Sequence, residues 1–409
     1  MSGAVVTGLG AVTPHGLGIE AYWRATLAGR RALRPITRFD PASYPVRLAG
    51  EVPGFSAADH VPSRIIPQTD RWTHLGLAAA GMALDDAEIV PAALPEYELA
   101  VVTASSSGGT EFGQREMVNL WGRGPEFVGA YQSIAWFYAA TTGQISIRHG
   151  LRGPCGVIAT EQAGGLDVLA QARRLLGEGT RMVVSGGTDA SLCPYGLVAQ
   201  LASGRLSLRA DPERAYVPFD VEACGYVPGE GGALLIVEAA DSARRRGAPR
   251  IYGEIAGHGA TFDPAPGADR PPGLRRAIEN ALDDADLAPG EVDVVFADAA
   301  GVPELDRVEA DALAAVFGPR GVPVSAPKTM TGRLYAGGAA LDTAAALLSI
   351  RDGVIPPTVG VRTVAFDEVD LVLDEPRSAT VRHALVVARG FGGFNSALVV
   401  RRETSGTRL

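Results

Sequence analysis

The sequence has little of what a secreted, membrane-spanning or disulfide-stapled protein needs. Its three cysteines, Cys155, Cys193 and Cys224, form neither a Cys-x-x-Cys pair nor an even set, so they predict a reducing compartment and no structural zinc site. No apolar run approaches the roughly 18 residues of a transmembrane helix, and the N-terminus lacks the basic start and apolar run of a signal peptide. We therefore expect a cytoplasmic protein with no membrane partner.

Charge and histidine spacing also argue against nucleic acid and metal as partners. Acidic residues outnumber basic ones by 46 to 37, and the net charge of −9 leaves no field that would hold a phosphate backbone. The histidines show no metal-ligand spacing and are expected on the surface or in packing; they are His15, His60, His74, His149, His258 and His383. We expect no metal and no cofactor.

What the sequence does contain is an alternation of short β-branched runs with helical patterns, which is typical of sheets covered by helices. The stretch Gly164–Gly177 has an apolar face and predicts one such helix. The runs predicted as strands are Ala4–Thr7, Leu99–Thr103, Gly156–Thr160, Met182–Ser185, Ala233–Val237, Arg250–Ile255, Val292–Phe296, Val322–Ser325, Ala384–Ala388 and Ala397–Val400. The pattern indicates an α/β protein in which a set of strands occurs twice.

A polar run at Asp241–Pro249 lies between two apolar strands and predicts the seam between two halves. We place an N-terminal half at residues 1–249 and a C-terminal half at 250–409, packed as one compact unit. Inspection of the amino-acid sequence shows no repeat. The duplication is therefore predicted from the order of elements alone.

Four segments, spread over nearly the full length, resemble the β-ketoacyl synthases of the thiolase superfamily. They are VVTGLGAVTPHG at Val5–Gly16, PFDVEACGYVPGEGGALLIVE at Pro218–Glu238, PKTMTG at Pro327–Gly332 and GFGGFN at Gly390–Asn395. One glycine-rich loop would be weak evidence, whereas four segments in the family's order are strong. The resemblance implies the thiolase-like fold, with five layers in the order αβαβα, two duplicated halves and a two-fold dimer.

The family's catalytic positions are replaced in this chain. Condensation needs a thiolate that carries the acyl chain and two imidazoles that support decarboxylation. An active ketosynthase has the sequence Thr-Ala-Cys-Thr-Ser-Gly at this point. In this chain Gln162 occupies the position of the cysteine, and an amide cannot form a thioester. Asp298, eight residues before Asp306, stands at the first histidine position, and Arg333 at the second.

We expect no catalytic residue among these degenerate positions. Lys328 is retained, but without a thiolate or histidines it is expected to be structural and paired with a carboxylate, because a buried ammonium is costly when unpaired. Arg333 is expected to pair with Asp298 or Glu161 in a collapsed site. The three cysteines occupy no nucleophile position and are expected to be buried and inert.

The string ATEQAGGLD, together with FGQREMVNLWGRGP and AWFYAATTGQISIRHGLRGP, looks most like the chain length factors, or ketosynthase beta subunits, of type II aromatic polyketide synthases. This resemblance implies a heterodimer with a catalytic ketosynthase alpha subunit, which condenses malonyl units on an acyl carrier protein with a phosphopantetheine arm. The subunit would have no condensation activity of its own within an acyltransferase complex. The residues implied in the dimer interface are Ile134, Trp136, Phe137, Ile147, Val157 and Ile158.

The helical stretch Glu111–Trp121 is the candidate for length control. Thr110, Gly113 and Met117 are spaced i, i+3 and i+7 and so share one helix face. Ordinary core packing is the alternative for this face. By the resemblance it gates the far end of the polyketide tunnel, and its modest bulk implies a deep tunnel and a long product.

Three other functions remain as alternatives. A Gln-for-Cys ketosynthase can act as a malonyl-carrier-protein decarboxylase that makes the acetyl primer, but such domains keep both histidines, and Asp298 would repel the developing enolate. An active condensing homodimer is opposed by the missing thiolate. The third alternative is a binding protein with no role in polyketide synthesis, which would hold only if the full-length resemblance to ketosynthases were misleading.

Overall fold

The computed structural model of the chain describes residues 3–265 and 267–403. The strands among them are β1 Ala4–Thr13, β2 Gly16–Leu17, β3 Leu33–Pro35, β4 Leu48–Gly50, β5 Leu99–Ala104, β6 Cys155–Ile158, β7 Met182–Asp189, β8 Gly231–Ala239, β9 Gly253–Phe262, β10 Val294–Phe296, β11 Pro323–Ser325, β12 Val354–Ile355, β13 Asp370–Leu371, β14 Arg377–Ser378, β15 His383–Arg389 and β16 Phe394–Arg401. The α-helices are α1 Ile19–Leu27, α2 Arg71–Asp86, α3 Thr110–Arg123, α4 Gln132–Ala135, α5 Ala140–His149, α6 Gly164–Gly177, α7 Pro194–Leu201, α8 Ala240–Arg245, α9 Leu274–Asp284, α10 Pro303–Phe317 and α11 Gly338–Asp352.

The ten predicted strands all overlap strands of the structure, and the predicted helix Gly164–Gly177 is confirmed as α6. The polar run predicted as a seam overlaps the short helix α8, which lies between β8 and β9 in the chain. Among the helices that the structure describes, none is both long enough and apolar enough to cross a membrane.

The sheet shows the duplication directly. Its order is β1-β8-β7-β5-β6 in the first half and β9-β16-β15-β10-β11 in the second, which is the same permutation of strands. In both halves the first two pairings are antiparallel and the last two are parallel. The halves meet where β1 and β9 pair antiparallel, with Ala4 opposite Ile255.

Helices cover both faces of both halves, which gives five layers. Helices α6 and α11 lie between the two halves in the largest core cluster, while α2 and α5 cover one outer face and α9 and α10 the other. Side chains of β5 alternate between layers, because successive residues of a strand point to opposite faces. Val102 faces the central layer and Val101 the outer one.

A pair of glycines in the first strand of each half allows the strand to lie directly against a helix. A Cβ atom on Gly8 would lie 2.2 Å from the Ala83 carbonyl oxygen, and one on Gly10 would lie 2.0 Å from that of Ala79. In β9 the same contacts join Gly257 to Ala281 of α9, at 2.2 Å, and Gly259 to Ala277, at 2.1 Å. Only glycine fits such an approach of backbone to backbone.

Candidate functional site

Gln162 lies at the point where the chain passes from β6 into α6. The turn Glu161–Ala163 is a short 3₁₀ segment, and Glu161 has a φ of 54°, in the left-handed region that non-glycine residues rarely adopt. Such backbone strain is typical of functional positions. The side chain of Gln162 is fully buried. The position therefore keeps the inward-facing geometry of a nucleophile but presents an amide.

The amide of Gln162 binds Asp298, which lies two residues after the end of β10. Gln162 Nε2 donates to Asp298 Oδ1 at 3.0 Å, and the backbone N–H of Arg389 donates to the same oxygen at 2.9 Å. Asp298 is 1% exposed. A buried carboxylate needs such donors because it has lost its water.

Arg333 supplies the matching positive charge. Its Nη1 and Nη2 lie 3.3 Å from the two carboxylate oxygens of Asp298, and its Nη2 donates to the Arg389 carbonyl at 2.6 Å. Its Nε lies 3.6 Å from Glu161 Oε1. The ion pair predicted for Arg333 is thus confirmed with both of the acids named for it.

The ionisation of this cluster follows from its burial and its charges. Burial is the largest single effect on Asp298, and it opposes the charged form. The neighbouring positive charges, first that of Arg333 and then that of Lys328, together with a backbone N–H outweigh burial, so the pKa of the Asp298 carboxyl falls below its usual value. Burial likewise opposes the charge on Arg333, and Asp298 and Glu161 more than compensate, so the pKa of Arg333 is raised. The site therefore holds a charged pair at neutral pH.

Lys328, the only lysine in the chain, is buried beside the same cluster. Its Nζ lies 2.9 Å from Asp342 Oδ2 of α11 and donates to the Ala297 carbonyl. The expectation that a carboxylate neutralises this ammonium is confirmed. Burial raises the pKa of Asp342, and Lys328 opposes that rise.

Two carboxylates that sequence reasoning left without a role hold the backbone around Asp298. Glu309 accepts from the N–H groups of Asp298 and Ala299, at 2.7 and 2.8 Å. Asp306 accepts from those of Phe219 and Gly301, each at 2.9 Å. Burial raises the pKa of Asp306 to about 8. Their spacing of three residues at the start of α10 does not distinguish them in the sequence from surface acids.

The space left around the charged cluster is about 60 Å³, bounded by Glu161, Asp298, Arg333 and their neighbours. That volume is far below the roughly 300 Å³ at which ligand pockets begin. None of the cysteines lies among the lining residues. In the described residues no group of three or more His, Cys, Asp or Glu side chains could hold a metal ion.

The burial predicted for the cysteines is wrong for two of the three. Cys193 is buried at the start of α7, but Cys155 and Cys224 are exposed. Cys155 is exposed because it begins β6, the strand at the edge of the sheet. Cys224 lies in a loop, with its Sγ 3.4 Å from Ser207 Oγ.

A larger cavity of about 380 Å³ adjoins the charged cluster and extends to the first turn of α3. Of the three residues predicted to line a tunnel, Thr110 borders this cavity and Gly113 and Met117 do not. The helix rises about 1.5 Å per residue, so positions i+3 and i+7 lie progressively farther from the cavity. A Cβ on Gly113 would instead meet Trp136 Cδ1 at 3.0 Å.

The residues predicted for a dimer interface lie on β6, on α5 and in the segment that begins with α4. Val157 and Ile158 of β6 are half-buried, and among the described residues β6 has a neighbour strand on one side only. Ile147 of α5, which packs beside β6, is 72% exposed. Ile134, Trp136 and Phe137 are between 40% and 49% exposed on α4 and the residues that follow it. Large exposed apolar side chains of this kind are typical of an interaction site.

Sequence comparison assigns the family. The model of the β-ketoacyl synthase N-terminal domain matches residues 1–243, and that of the C-terminal domain matches residues 252–362. The chain belongs to the β-ketoacyl synthase family. The resemblance to the ketosynthase beta subunits of type II polyketide synthases is also confirmed. The tetracenomycin polyketide synthase ketoacyl synthase beta subunit of Streptomyces glaucescens is 64% identical, over 98% of both chains.

Other β-ketoacyl synthases are more distant. The 3-oxoacyl-[acyl-carrier-protein] synthase 2 of a Synechocystis species is 32% identical over 97% of both chains. Among solved structures, the ishigamide ketosynthase/chain length factor superposes with a TM-score of 0.89 at 29% identity, over 98% of this chain and 100% of that one. A type II ketosynthase in complex with its acyl carrier protein and a hexaketide superposes with a TM-score of 0.88 at 26% identity, over the same shares. The predicted thiolase-like α/β fold is confirmed.

Proposed function

We propose that this chain is the non-catalytic subunit of a ketosynthase heterodimer and sets the length of a polyketide. A ketosynthase alpha subunit condenses malonyl units carried by an acyl carrier protein, and this subunit completes the tunnel that holds the growing chain. The subunit acts in the cytoplasm, a reducing compartment in which free thiols such as the exposed Cys155 and Cys224 stay reduced.

The observation that carries the proposal is the filling of the former catalytic centre. Gln162, Asp298 and Arg333 bind one another through hydrogen bonds and an ion pair, and they leave no nucleophile and no room for a substrate. Chemistry must then come from a second subunit. The open edge of β6 and the apolar surface around Trp136 and Ile147 supply a face for it.

The comparisons support the same partners. One structural relative pairs a ketosynthase with a chain length factor, and another holds an acyl carrier protein against its ketosynthase. An obligate interface of this kind typically buries more than about 2,000 Å² in total. We place the N-terminal half at residues 1–249 on that interface, because β6, α4 and α5 all belong to it.

A decarboxylase is opposed by the charge at the site. The enolate that forms on loss of carbon dioxide needs hydrogen-bond donors around its oxygen. In this chain the Gln162 amide already donates to Asp298, whose negative charge would lie beside the enolate. If Gln162→Ala abolished malonyl decarboxylation in the assembled pair while the alpha subunit stayed active, the non-catalytic assignment would be wrong.

The test of length control is the product made by the assembled pair. We expect Thr110→Phe, co-expressed with an alpha subunit and a carrier protein, to shorten the dominant polyketide without abolishing condensation, because Thr110 is the one of the three predicted wall residues that borders the cavity. Added bulk in a packed wall costs about 1–3 kcal/mol, which shifts the ratio of chain lengths by one to two powers of ten. The measurement is the mass of the released chain.

Gly122→Phe is the matched control. It introduces the same ring on the same helix, at a position where an added Cβ meets nothing within 4 Å. Size-exclusion chromatography verifies that each variant assembles with the alpha subunit. Unchanged chain lengths from Thr110→Phe, with normal assembly, would show that this helix is not the ruler.

A further inference from the structure

The cavity beside α3 and the space around the charged cluster share a wall. Three residues line both the cavity of about 380 Å³ and the space of about 60 Å³, and they are Glu161, Tyr226 and Phe391. Asp298 and Arg333 line only the small space. The three shared residues, which we call the partition, therefore lie between the charged cluster and the cavity.

Arginine side chains hold every member of the partition. Glu161 Oε2 accepts from the Phe391 backbone N–H at 2.7 Å, and Glu161 Oε1 lies 3.6 Å from Arg333 Nε. Cζ of Arg333 lies 5.2 Å from the centre of the Tyr226 ring, and Cζ of Arg205 lies 4.9 Å from the centre of the Phe391 ring. A guanidinium at such a distance attracts the face of an aromatic ring. The partition is thus fixed by contacts with charged groups.

Phe391 is the most exposed member of the partition. Its side chain lies on the turn Gly390–Gly393, in which Gly392 and Gly393 have φ angles of 92° and 108°. The residue is 57% exposed, whereas Tyr226 is buried. Covering an exposed aromatic ring with apolar groups is favourable, because apolar surface is removed from water. The Phe391 ring therefore suits contact with the methylene groups of a ligand in the cavity.

We infer that the partition is a wall of the polyketide tunnel and keeps the growing chain away from the charged cluster, with Phe391 as the residue that the chain contacts. The inference rests on the proposed function and names a further residue that determines chain length. The ketone oxygens of a poly-β-ketone accept hydrogen bonds, and a guanidinium is a strong donor. A chain that passed the partition would compete with Asp298 for Arg333 and be held outside its tunnel.

Removal of the Phe391 ring tests the wall. Phe391→Ala joins the two spaces. In the complex with an alpha subunit and a carrier protein, we expect it to raise the share of products at least one two-carbon unit longer by about five-fold or more, because the crowding of a longer chain is relieved. The measurement is the mass of the released chains.

Phe262→Ala is the matched control. Phe262 is 55% exposed and packs against Phe394, and it lines neither the cavity nor the small space. The control should therefore release the same products as the unaltered complex. If Phe391→Ala and Phe262→Ala gave the same chain lengths in assembled complexes, the inference would be overturned.

Glu161 acts through Phe391 and is a positioning residue. Glu161→Ala removes the acceptor of the Phe391 N–H, so its products should lengthen in the same direction as those of Phe391→Ala. Glu161→Gln keeps an oxygen for that N–H and should restore the original lengths. The double variant Glu161→Ala with Phe391→Ala should lengthen the product no further than Phe391→Ala. Identical products from Glu161→Ala and Glu161→Gln would overturn this role of the hydrogen bond.

The accessibility of the small space supplies a readout besides product length. Ala300 lines that space and is buried, so Ala300→Cys places a thiol there. We expect N-ethylmaleimide to alkylate this thiol more slowly than the exposed Cys224 of the same protein. Addition of Phe391→Ala should raise the rate at position 300 several-fold, whereas addition of Phe262→Ala should not. An equal rate with and without the Phe391 ring would show that the ring closes nothing and would overturn the inference.

Failure of the inference and failure of the proposed function give different results. If Thr110→Phe shortens the product while Phe391→Ala changes nothing, this subunit still sets chain length and the partition is wrong. If neither variant changes the chain length in assembled complexes, the proposed function fails together with the inference.

Discussion

At the scale of single residues, the replacement of the family's catalytic residues was predictable from the sequence, but the contacts among the replacing residues were not. The letters alone show that an amide, a carboxylate and a guanidinium replace a thiol and two imidazoles at Gln162, Asp298 and Arg333. That these three residues bind one another depends on three chain segments that meet only in the fold. Asp306 and Glu309 escaped prediction because they bind backbone amides, whose positions no side-chain pattern reveals.

Restoring the thiol should not restore the chemistry. We expect Gln162→Cys to form no acyl-enzyme, because burial raises the pKa of a thiol at this position and the space of about 60 Å³ beside it is too small for an acyl chain. The measurement is the intact mass of the variant after incubation with acyl carrier protein. Alkylation by iodoacetamide should be slower at the introduced thiol than at the exposed Cys155 and Cys224 of the same protein. A stable acyl adduct at position 162 would contradict the prediction.

The buried ion pair should matter most when one partner is removed. We expect Arg333→Met to lower the free energy of unfolding by about 3–5 kcal/mol, because Asp298 then stays buried without its cation. Adding Asp298→Asn should recover most of that loss. The control is Arg307→Met, which breaks exposed pairs with Asp311 and Glu368 and should cost at most about 1 kcal/mol. Denaturant titration of the assembled complex measures all three, and equal losses at Arg333 and Arg307 would contradict the argument.

At the scale of elements, strands and helices were predicted from periodicity, whereas the contacts that place them were not. The spacing of Thr110, Gly113 and Met117 correctly put them on one helix, α3. Residues on one helix face do not all line the same cavity. Of these three, only Thr110 borders the cavity of about 380 Å³. The burial of Gly113 under Trp136 depends on a segment more than twenty residues farther along the chain, which the spacing on one helix cannot show.

The edge strand β6 and helix α5 lead to a prediction about assembly. We expect Ile147→Asp to prevent pairing with the alpha subunit, because a carboxylate in an apolar interface loses its water without gaining a partner. Val90→Asp is the control, since Val90 is similarly exposed, at 67%, and lies on the loop after α2. Analytical ultracentrifugation of the mixed subunits reports pairing, and circular dichroism verifies that each variant is folded. Normal pairing by the Ile147 variant would move the interface elsewhere.

At the scale of the whole molecule, the duplication also leaves a repeated sequence pattern, but it involves too few residues to be recognised without the structure. Each half begins with a Gly-x-Gly strand, at Gly8 and Gly257, and each strand lies on a helix with alanines four residues apart. In α2 these are Ala79 and Ala83, and in α9 they are Ala277 and Ala281. The repeat is visible in the sequence at these close backbone contacts, since most other core positions tolerate many side chains of suitable size. The common strand order of the halves is what reveals it.

One consequence of an open edge and an exposed apolar surface on one face is that the stability of the chain depends on its partner. A ligand that binds only the folded state stabilises it by about 2.7 kcal/mol at one hundred times its Kd. We therefore expect the Tm of this chain to rise as the alpha subunit is added and to go on rising with concentration at a fixed ratio. Calorimetry of the chain alone, of the mixture and of the mixture with Ile147→Asp measures the effect.

The variant should keep the Tm of the unpaired chain at every partner concentration, because its exposed side chain contributes little to the fold of the monomer. A Tm that is independent of the alpha subunit would show that the apolar surface around Trp136 and Ile147 serves something other than this partner.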